Sequence, residues 1–418
     1  MSGRPGRHWA VGAVVLVTVG SIVACSPPAG NAPGASTLSP SAPSSSRLSS
    51  PPQESSPAVA TSPTTPRPTA LALLGGCGVA MPASWQKAFK AGRRSHGPGE
   101  SLVIHSVSGL PDALAVSRNA PDWSGLELIP LNGAVRRVRA FDNPDDDQVL
   151  GVASDGRYWV WSETHSLYNW DDWTLWSFDT VTGRLRRIAA SASAHGEPVI
   201  GPMQYPAVDA GQVAWARGNA DGTATVYLTD LATGRSRVAV SGPPSAPSGH
   251  PATPVFFHHL LVWPESPSKG ALSELRAADP ITLQRVDLPA PLRQVQGPNW
   301  FTANGDRLTW ASTNYSQLYT WAWGSTKPPR RLLSVSPAEH IGQPHSVGNL
   351  IAWAGDHAMF AYDLRSDAVT QLTREYGLVA VAGNILAVSE AESQVKAHHP
   401  PLSVTLVDGT RLAPLPGC

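Results

Sequence analysis

Seven ten-residue stretches of this chain align without gaps on one anchor residue, and that repetition limits its fold more than any other feature. PHSVGNLIAW (344–353), PAVDAGQVAW (206–215), PVFFHHLLVW (254–263), FTANGDRLTW (301–310) and VASDGRYWVW (152–161) end in Trp. VAVAGNILAV (379–388) and VSGLPDALAV (107–116) end in Val. The fifth and fourth places before the anchor are mostly turn dipeptides, such as Gly348-Asn349, Gly383-Asn384, Gly305-Asp306 and Ala210-Gly211. Short β-rich runs flank them, which reads as strand, two-residue turn, strand. Successive anchors lie 45, 54, 48, 47, 43 and 35 residues apart, so the repeats differ in loop length.

Each unit continues into a second hairpin. VYLTDLATGRSRVAV (226–240), LWSFDTVTGRLRRIAA (175–190) and MFAYDLRSDAVTQLT (359–373) are the clearest, and LYTWAWGSTKPPRRLL (318–333), LSVTLVDGTRLAPL (402–415) and LELIPLNGAVRRVRA (126–140) are looser versions. Glycine there supplies the positive φ that a tight hairpin needs. Four strands per unit, without amphipathic helices between units, predict an all-β fold: a seven-bladed β-propeller of four-stranded blades over 99–418, with six blades as the alternative. The anchors Trp161, Trp215, Trp263, Trp310 and Trp353 are expected between adjacent sheets, where a large flat ring fills the wedge.

The apolar-x-Trp strand together with the Y-x-x-D-L-x-T-G hairpin resembles the TolB-like group of propellers. That resemblance covers about residues 99–417. It implies an envelope lipoprotein of a bacterium, an actinobacterium by the same likeness, and says little of activity because propellers host many functions.

The N-terminus points to the same compartment. Arg4, Arg7 and His8 precede an apolar run from Trp9 to Ala24, the layout of a secretory signal over 1–24 and short for a membrane span. Ile22-Val23-Ala24-Cys25 resembles the lipobox of bacterial lipoproteins, which implies cleavage before Cys25 and lipidation, including a palmitate-type acyl chain, at that cysteine. The expected location is the outer face of the cytoplasmic membrane, held by the lipid. From Ser26 to Ala70, 28 of 45 residues are Ser, Thr or Pro with no aromatic, a composition that cannot bury a core and reads as a tether. Only Cys77 and Cys418 remain besides Cys25, and an exported chain favours their pairing. Such a bridge would clamp the seam where the first and last blades meet. Between them, in a capping segment over 71–98, PASWQKAFKAG (82–92) predicts one short helix with Trp85 and Phe89 on one face.

Turns inside the hairpins are tight, whereas insertions fall between second and third strands and between units. Those two sets emerge on one face of a propeller, so binding residues are expected there. The richest insertion, SETHSLYNWDDW (162–173), brings together Glu163, His165, Tyr168, Trp170, Asp171, Asp172 and Trp173 as candidate binding residues. Rings beside carboxylates suit stacking on a sugar or gripping a peptide or cation. The alternative is that the loop folds over its own blade and buries its rings. His195, His250, Lys396, His398 and His399 lie in other insertions without metal-ligand spacing; His258 and His259 sit in a tight turn and are expected solvated. DNPDDD (142–147) lacks the glycine and glutamate of a calcium loop and reads as a solvated acidic loop.

Neither a metal nor a cofactor is expected, and no catalytic residue is assigned. G-x-S-x-G, H-E-x-x-H, C-x-x-C and G-x-x-x-x-G-K do not occur. With 31 basic and 31 acidic residues the charge is balanced, which argues against nucleic acid. The expected function is non-catalytic: a monomer, anchored to the membrane, that binds or scaffolds another envelope protein or glycan. The alternative is an envelope hydrolase or lyase using Glu163, Asp171 or Asp172 as paired acids.

Overall fold

The computed structural model describes residues 74–95, 101–109, 112–120, 123–130, 135–165, 172–191, 205–218, 223–244, 254–266, 271–390 and 403–418, apart from 145, 338, 357 and 374–376. Its strands fall into seven hydrogen-bonded sheets, numbered here in chain order. Sheets I to IV are four-stranded antiparallel meanders over 101–140, 148–190, 207–244 and 255–286. Sheet V (299–335) and sheet VI (345–371) are meanders with a fifth strand added, from Leu74–Gly75 and Cys77–Val79 respectively. Sheet VII combines three strands over 377–408 with Arg93–Ser95 as its outermost strand. The first strand of each sheet touches the first strand of the next, and that of VII touches that of I. The fold is a β-propeller of mostly four-stranded antiparallel blades, with the single α-helix of the described residues, α1, at Ala83–Gly92.

The aligned turns and anchors explain the assembly. Gly348 and Gly383 have φ of 57° and 53°, which side-chain-bearing residues rarely adopt. The strands they join place the anchor Trp on the face that meets the preceding sheet. Trp161 packs with Leu126 and Leu128 of sheet I, Trp215 with Val160 and Trp173 of II, and Trp263 with Ala214 and Val226 of III. Trp310 does the same with Val262 of IV, and Trp353 with Leu318 of V. All five rings are buried as expected. Each covers roughly 4 kcal/mol of apolar transfer free energy before packing and entropy are counted.

A second device joins the sheets at the outer hairpins. Asp179, Asp230 and Asp279 end or follow the third strands of II, III and IV, and each Oδ1 accepts from a turn N–H, of Val181 (2.9 Å), Thr233 (2.7 Å) and Ile281 (2.7 Å). An arginine on the fourth strand of one sheet then reaches the next sheet's turn. Arg136 donates to the Thr180 carbonyl, Arg186 to the Leu231 and Ala232 carbonyls, and Arg237 to the Pro280 and Ile281 carbonyls, at 2.9–3.4 Å. Arg330 of V grips the Asp367 carboxylate of VI instead. At Gly234 (φ 78°) a Cβ would stand 2.4 Å from Arg186 Nη1, so the turn glycine serves both the backbone and the incoming guanidinium.

The ring closes within sheet VII, where Arg93–Ser95 pairs antiparallel with Ser403–Asp408. Gly92 makes that possible, because a Cβ there would lie 1.9 Å from the Leu406 carbonyl oxygen. Helix α1 buries Trp85 completely against sheets VI and VII, stacks it on Phe89 and directs its Nε1 to the Ala413 carbonyl at 2.8 Å. The Cys77–Cys418 disulfide is present, with Cα atoms 6.0 Å apart. Its place differs from the expected clamp between first and last blades. Cys77–Val79 runs beside the outer strand of VI, and the Leu415 N–H donates to Asp363 of the same sheet. The bridge therefore fastens both chain ends to sheet VI, one sheet before the seam.

On the innermost strand of VI, burial holds the His345 imidazole down to about 4. A folded-state pKa below the unfolded value means that protons bind the unfolded chain first, so stability falls as pH drops from about 6.5 toward 4. The expected slope is about 1 kcal/mol per pH unit from this group. Urea unfolding at pH 7, 5.5 and 4.5 should show a shallower acid loss for His345→Gln than for the parent.

Candidate functional site

The long-loop end of sheet II is where the sequence concentrates polar and aromatic groups. Its second strand, Tyr158–Thr164, and third, Trp173–Asp179, pair in register from Thr164↔Trp173 to Tyr158↔Asp179. The base of the insertion between them is closed by the His165 N–H donating to the Asp172 carbonyl at 3.0 Å. Tyr168, Trp170 and Asp171 lie outside the described residues. Trp173 is completely buried, edge-on to Trp215 of sheet III, so its ring packs the wall between two sheets. Glu163 is completely buried as well. Of the described candidates, His165 is partly exposed and Asp172 is exposed.

Glu163 lies opposite the last strand of sheet I. Arg139 Nε donates to both its oxygens (3.1 and 3.0 Å), and Nη2 donates to Oε1 at 2.8 Å. The same Nη2 donates to Asp142 at 2.7 Å, and the guanidinium carbon sits 4.3 Å from the centre of the Trp176 ring. Burial pushes the Glu163 carboxyl above the ordinary carboxylate range, and the nearby Asp147 charge adds to this against the downward pull of Arg139. For Arg139 burial acts downward, but its hydrogen bonds to Glu163 and Asp142 prevail and raise it. The pair joins sheet I to sheet II.

A second chain of polar contacts runs beside it. His165 Nδ1 is 2.8 Å from Asp147 Oδ1, and Nε2 is 3.3 Å from Thr174 Oγ1. Asp147 Oδ2 accepts the Asn143 N–H at 2.8 Å, which folds the turn entering sheet II. The acidic run is thus only partly solvated: Asp142 is exposed, whereas Asp147 is buried and ordered by His165. Asp147, Glu163 and His165 each bring a possible ligand atom within 4.8 Å of the others. Arg139 already supplies a cation to both oxygens of Glu163, so the donor set fits a guanidinium better than a divalent ion. The same engagement withdraws Glu163 from the paired-acid role that a hydrolase reading requires.

His195, His250, Lys396, His398 and His399 fall outside the described residues. His258 and His259 are less free than the sequence suggests. His258 stacks on Trp323 with ring centres 4.4 Å apart and places Nε2 2.9 Å from Asp306, so this turn docks on sheet V. Sequence reasoning missed Arg139, Asp147 and Thr174. Arg139 was hidden among the three arginines of 136–139, and Asp147 was only the last of an acidic run. Nothing in the sequence distinguishes either from its neighbours before the two loops are brought together.

These features define a β-propeller whose polar rim residues bind one another. No family model matches the chain, and no curated protein matches it. Solved structures do. A structure described as one of two prolyl endopeptidases is 14% identical, covering 78% of this chain and 49% of that chain at a TM-score of 0.50. Prolyl oligopeptidase B from Galerina marginata is 11% identical, covering 79% and 51%, with a TM-score of 0.47. The β-propeller domain of the Trilobed protease from Pyrococcus furiosus is 11% identical, covering 59% and 78%, with a TM-score of 0.40. The chain spans about half the length of the first of these. At such identities the likeness is one of fold, and it does not carry a peptidase activity to this chain.

Proposed function

We propose that this chain is a TolB-like envelope lipoprotein: a propeller tethered by lipid at Cys25 to the outer face of the cytoplasmic membrane, which binds or scaffolds another envelope protein or a glycan. We read each of the seven sheets as one blade, with six blades as the alternative. One observation carries the binding reading. The buried Arg139–Glu163 pair and the Asp147–His165–Thr174 chain hold the bases of the loops at 141–147 and 165–172. Charged groups used in this way fix the two ends of an insertion, and the sequence between those ends contains Tyr168, Trp170 and Asp171.

The soluble form beginning at Leu71, immobilised and exposed to envelope proteins and glycans, should retain one major partner. Replacing 166–171 with a Gly/Ser linker should cut that capture at least about tenfold, as loss of central aromatic contacts does. Equal recovery by both forms would reject this surface. The anchor is tested separately: Cys25→Ser should move the protein from the membrane fraction to the soluble fraction, because a chain without acyl groups has no comparable hold on the bilayer.

A further inference from the structure

On the opposite, short-turn face, sheets V and VI leave a cleft of about 650 Å³ between them. Arg307 opens the second strand of V, Lys327 and Arg330 come from the turn and fourth strand of V, and Asn349 comes from the first turn of VI. Every ionisable side chain lining the cleft is cationic.

Arg307 stands out against the repeat. It holds the third place before an anchor Trp, where other units carry Tyr158, Gln212, Leu260 and Leu350. Tyr158, Leu260 and Leu350 are buried in the wall between sheets, and Arg307 is only partly exposed in the same position. Among the described residues its guanidinium has no ion-pair partner, and its hydrogen bond to Thr320 Oγ1 is long, at 3.5 Å. Nearby acids are engaged elsewhere: Asp306 with His258, and Asp367 with Arg330. Burial and the neighbouring Arg330 charge push the Arg307 pKa below its ordinary value, and Asp306 only partly opposes them. A packing role would be filled better by leucine, as at Leu260 and Leu350, and an unpaired guanidinium in a concave site is costly without an anion.

We propose that this cleft binds a phosphate-type oxyanion carried on a small organic group, with Arg307 as its principal contact. Lys327 supplies further positive charge while Arg330 stays paired with Asp367, and the Arg307 guanidinium presents paired N–H groups that match phosphate oxygens. The volume lies within the about 300–1,000 Å³ usual for small-molecule sites, well beyond what bare phosphate fills. Pro328, Pro329 and Leu364 provide an apolar wall for the organic part. This inference is independent of the partner-binding reading, which concerns the other face.

The test titrates glycerol 3-phosphate and inorganic phosphate, at ionic strength matched with chloride, into the full chain in detergent, with calorimetry and thermal unfolding as readouts. Saturable binding of the ester is expected, with inorganic phosphate weaker. Arg307→Leu should weaken it at least about tenfold while unfolding, without ligand, at the same or a higher temperature. Lys327→Gln, on an exposed turn, should weaken binding by a smaller factor, about threefold, and leave unfolding unchanged. Inorganic phosphate binding as tightly as the ester would overturn the organic group. Absence of saturable binding to the parent, or undiminished binding to Arg307→Leu, would overturn the site.

Discussion

Replacing Arg139 by methionine will destabilise the propeller by about 3 kcal/mol at pH 7, because it leaves Glu163 buried and ionised without a partner. The loss will depend on pH in a defined direction. Burial already raises the Glu163 carboxyl, and removing the guanidinium that pulls it down raises it further. A folded-state pKa above the unfolded value means that the folded chain binds the proton more tightly. Stability of the variant should therefore recover as pH falls toward the ordinary glutamate range and decline as pH rises through the elevated value. Denaturant unfolding at pH 7 and pH 5 measures this directly. The double variant Arg139→Met/Glu163→Leu should regain most of the loss, since apolar replacement of a whole buried pair is often neutral. A deficit that is equal at both pH values would show that contact with Trp176, rather than charge, had been removed.

Loss of the Cys77–Cys418 bridge should be the other large effect. The two cysteines are 341 residues apart, so the link restrains nearly the whole propeller when unfolded. The chain-entropy estimate for so long a loop is about 6 kcal/mol, and removal of a native bridge costs about 2–5 kcal/mol. Cys77→Ser/Cys418→Ser should lower the unfolding midpoint by that equivalent, and reduction of the parent should reproduce it. Local release should accompany the global effect. Cys77–Val79 pairs only along the edge of sheet VI, so its amides should exchange with solvent faster in the double serine variant, whereas those of Arg93–Ser95 in sheet VII should not. Equal acceleration at both strands would show that the bridge supports the seam after all.

Much of the architecture was legible because it is written repeatedly. Seven aligned turns with a common anchor predict strand pairing, and five Trp rings take the inter-sheet position that the pattern requires. Helix α1 was equally readable, since Trp85 and Phe89 are spaced for one face. The position of the disulfide was not. The cysteines announce a bridge, but nothing in the sequence says that Leu74–Gly75 and Cys77–Val79 will add to the edges of V and VI before Arg93–Ser95 completes VII. The candidate site was half legible for a related reason. The local run 162–173 drew attention to Glu163 and His165, yet what they touch, Arg139 and Asp147, comes from the preceding sheet and its connecting loop. A local run says which residues are near one another, and the partners of buried charges are set by the ring.

The arginines that pass from one sheet to the next turn have an asymmetry with its own consequence. The donor is a particular side chain, whereas the receiver at three of the four junctions is main-chain oxygen. Any residue offers a carbonyl, so Thr180, Ala232 and Ile281 serve alike. Information about a junction is therefore stored on one side of it. The receiving turns are free to drift in composition, and a duplicated or transplanted unit would find a ready acceptor beside it without any matching change in its neighbour.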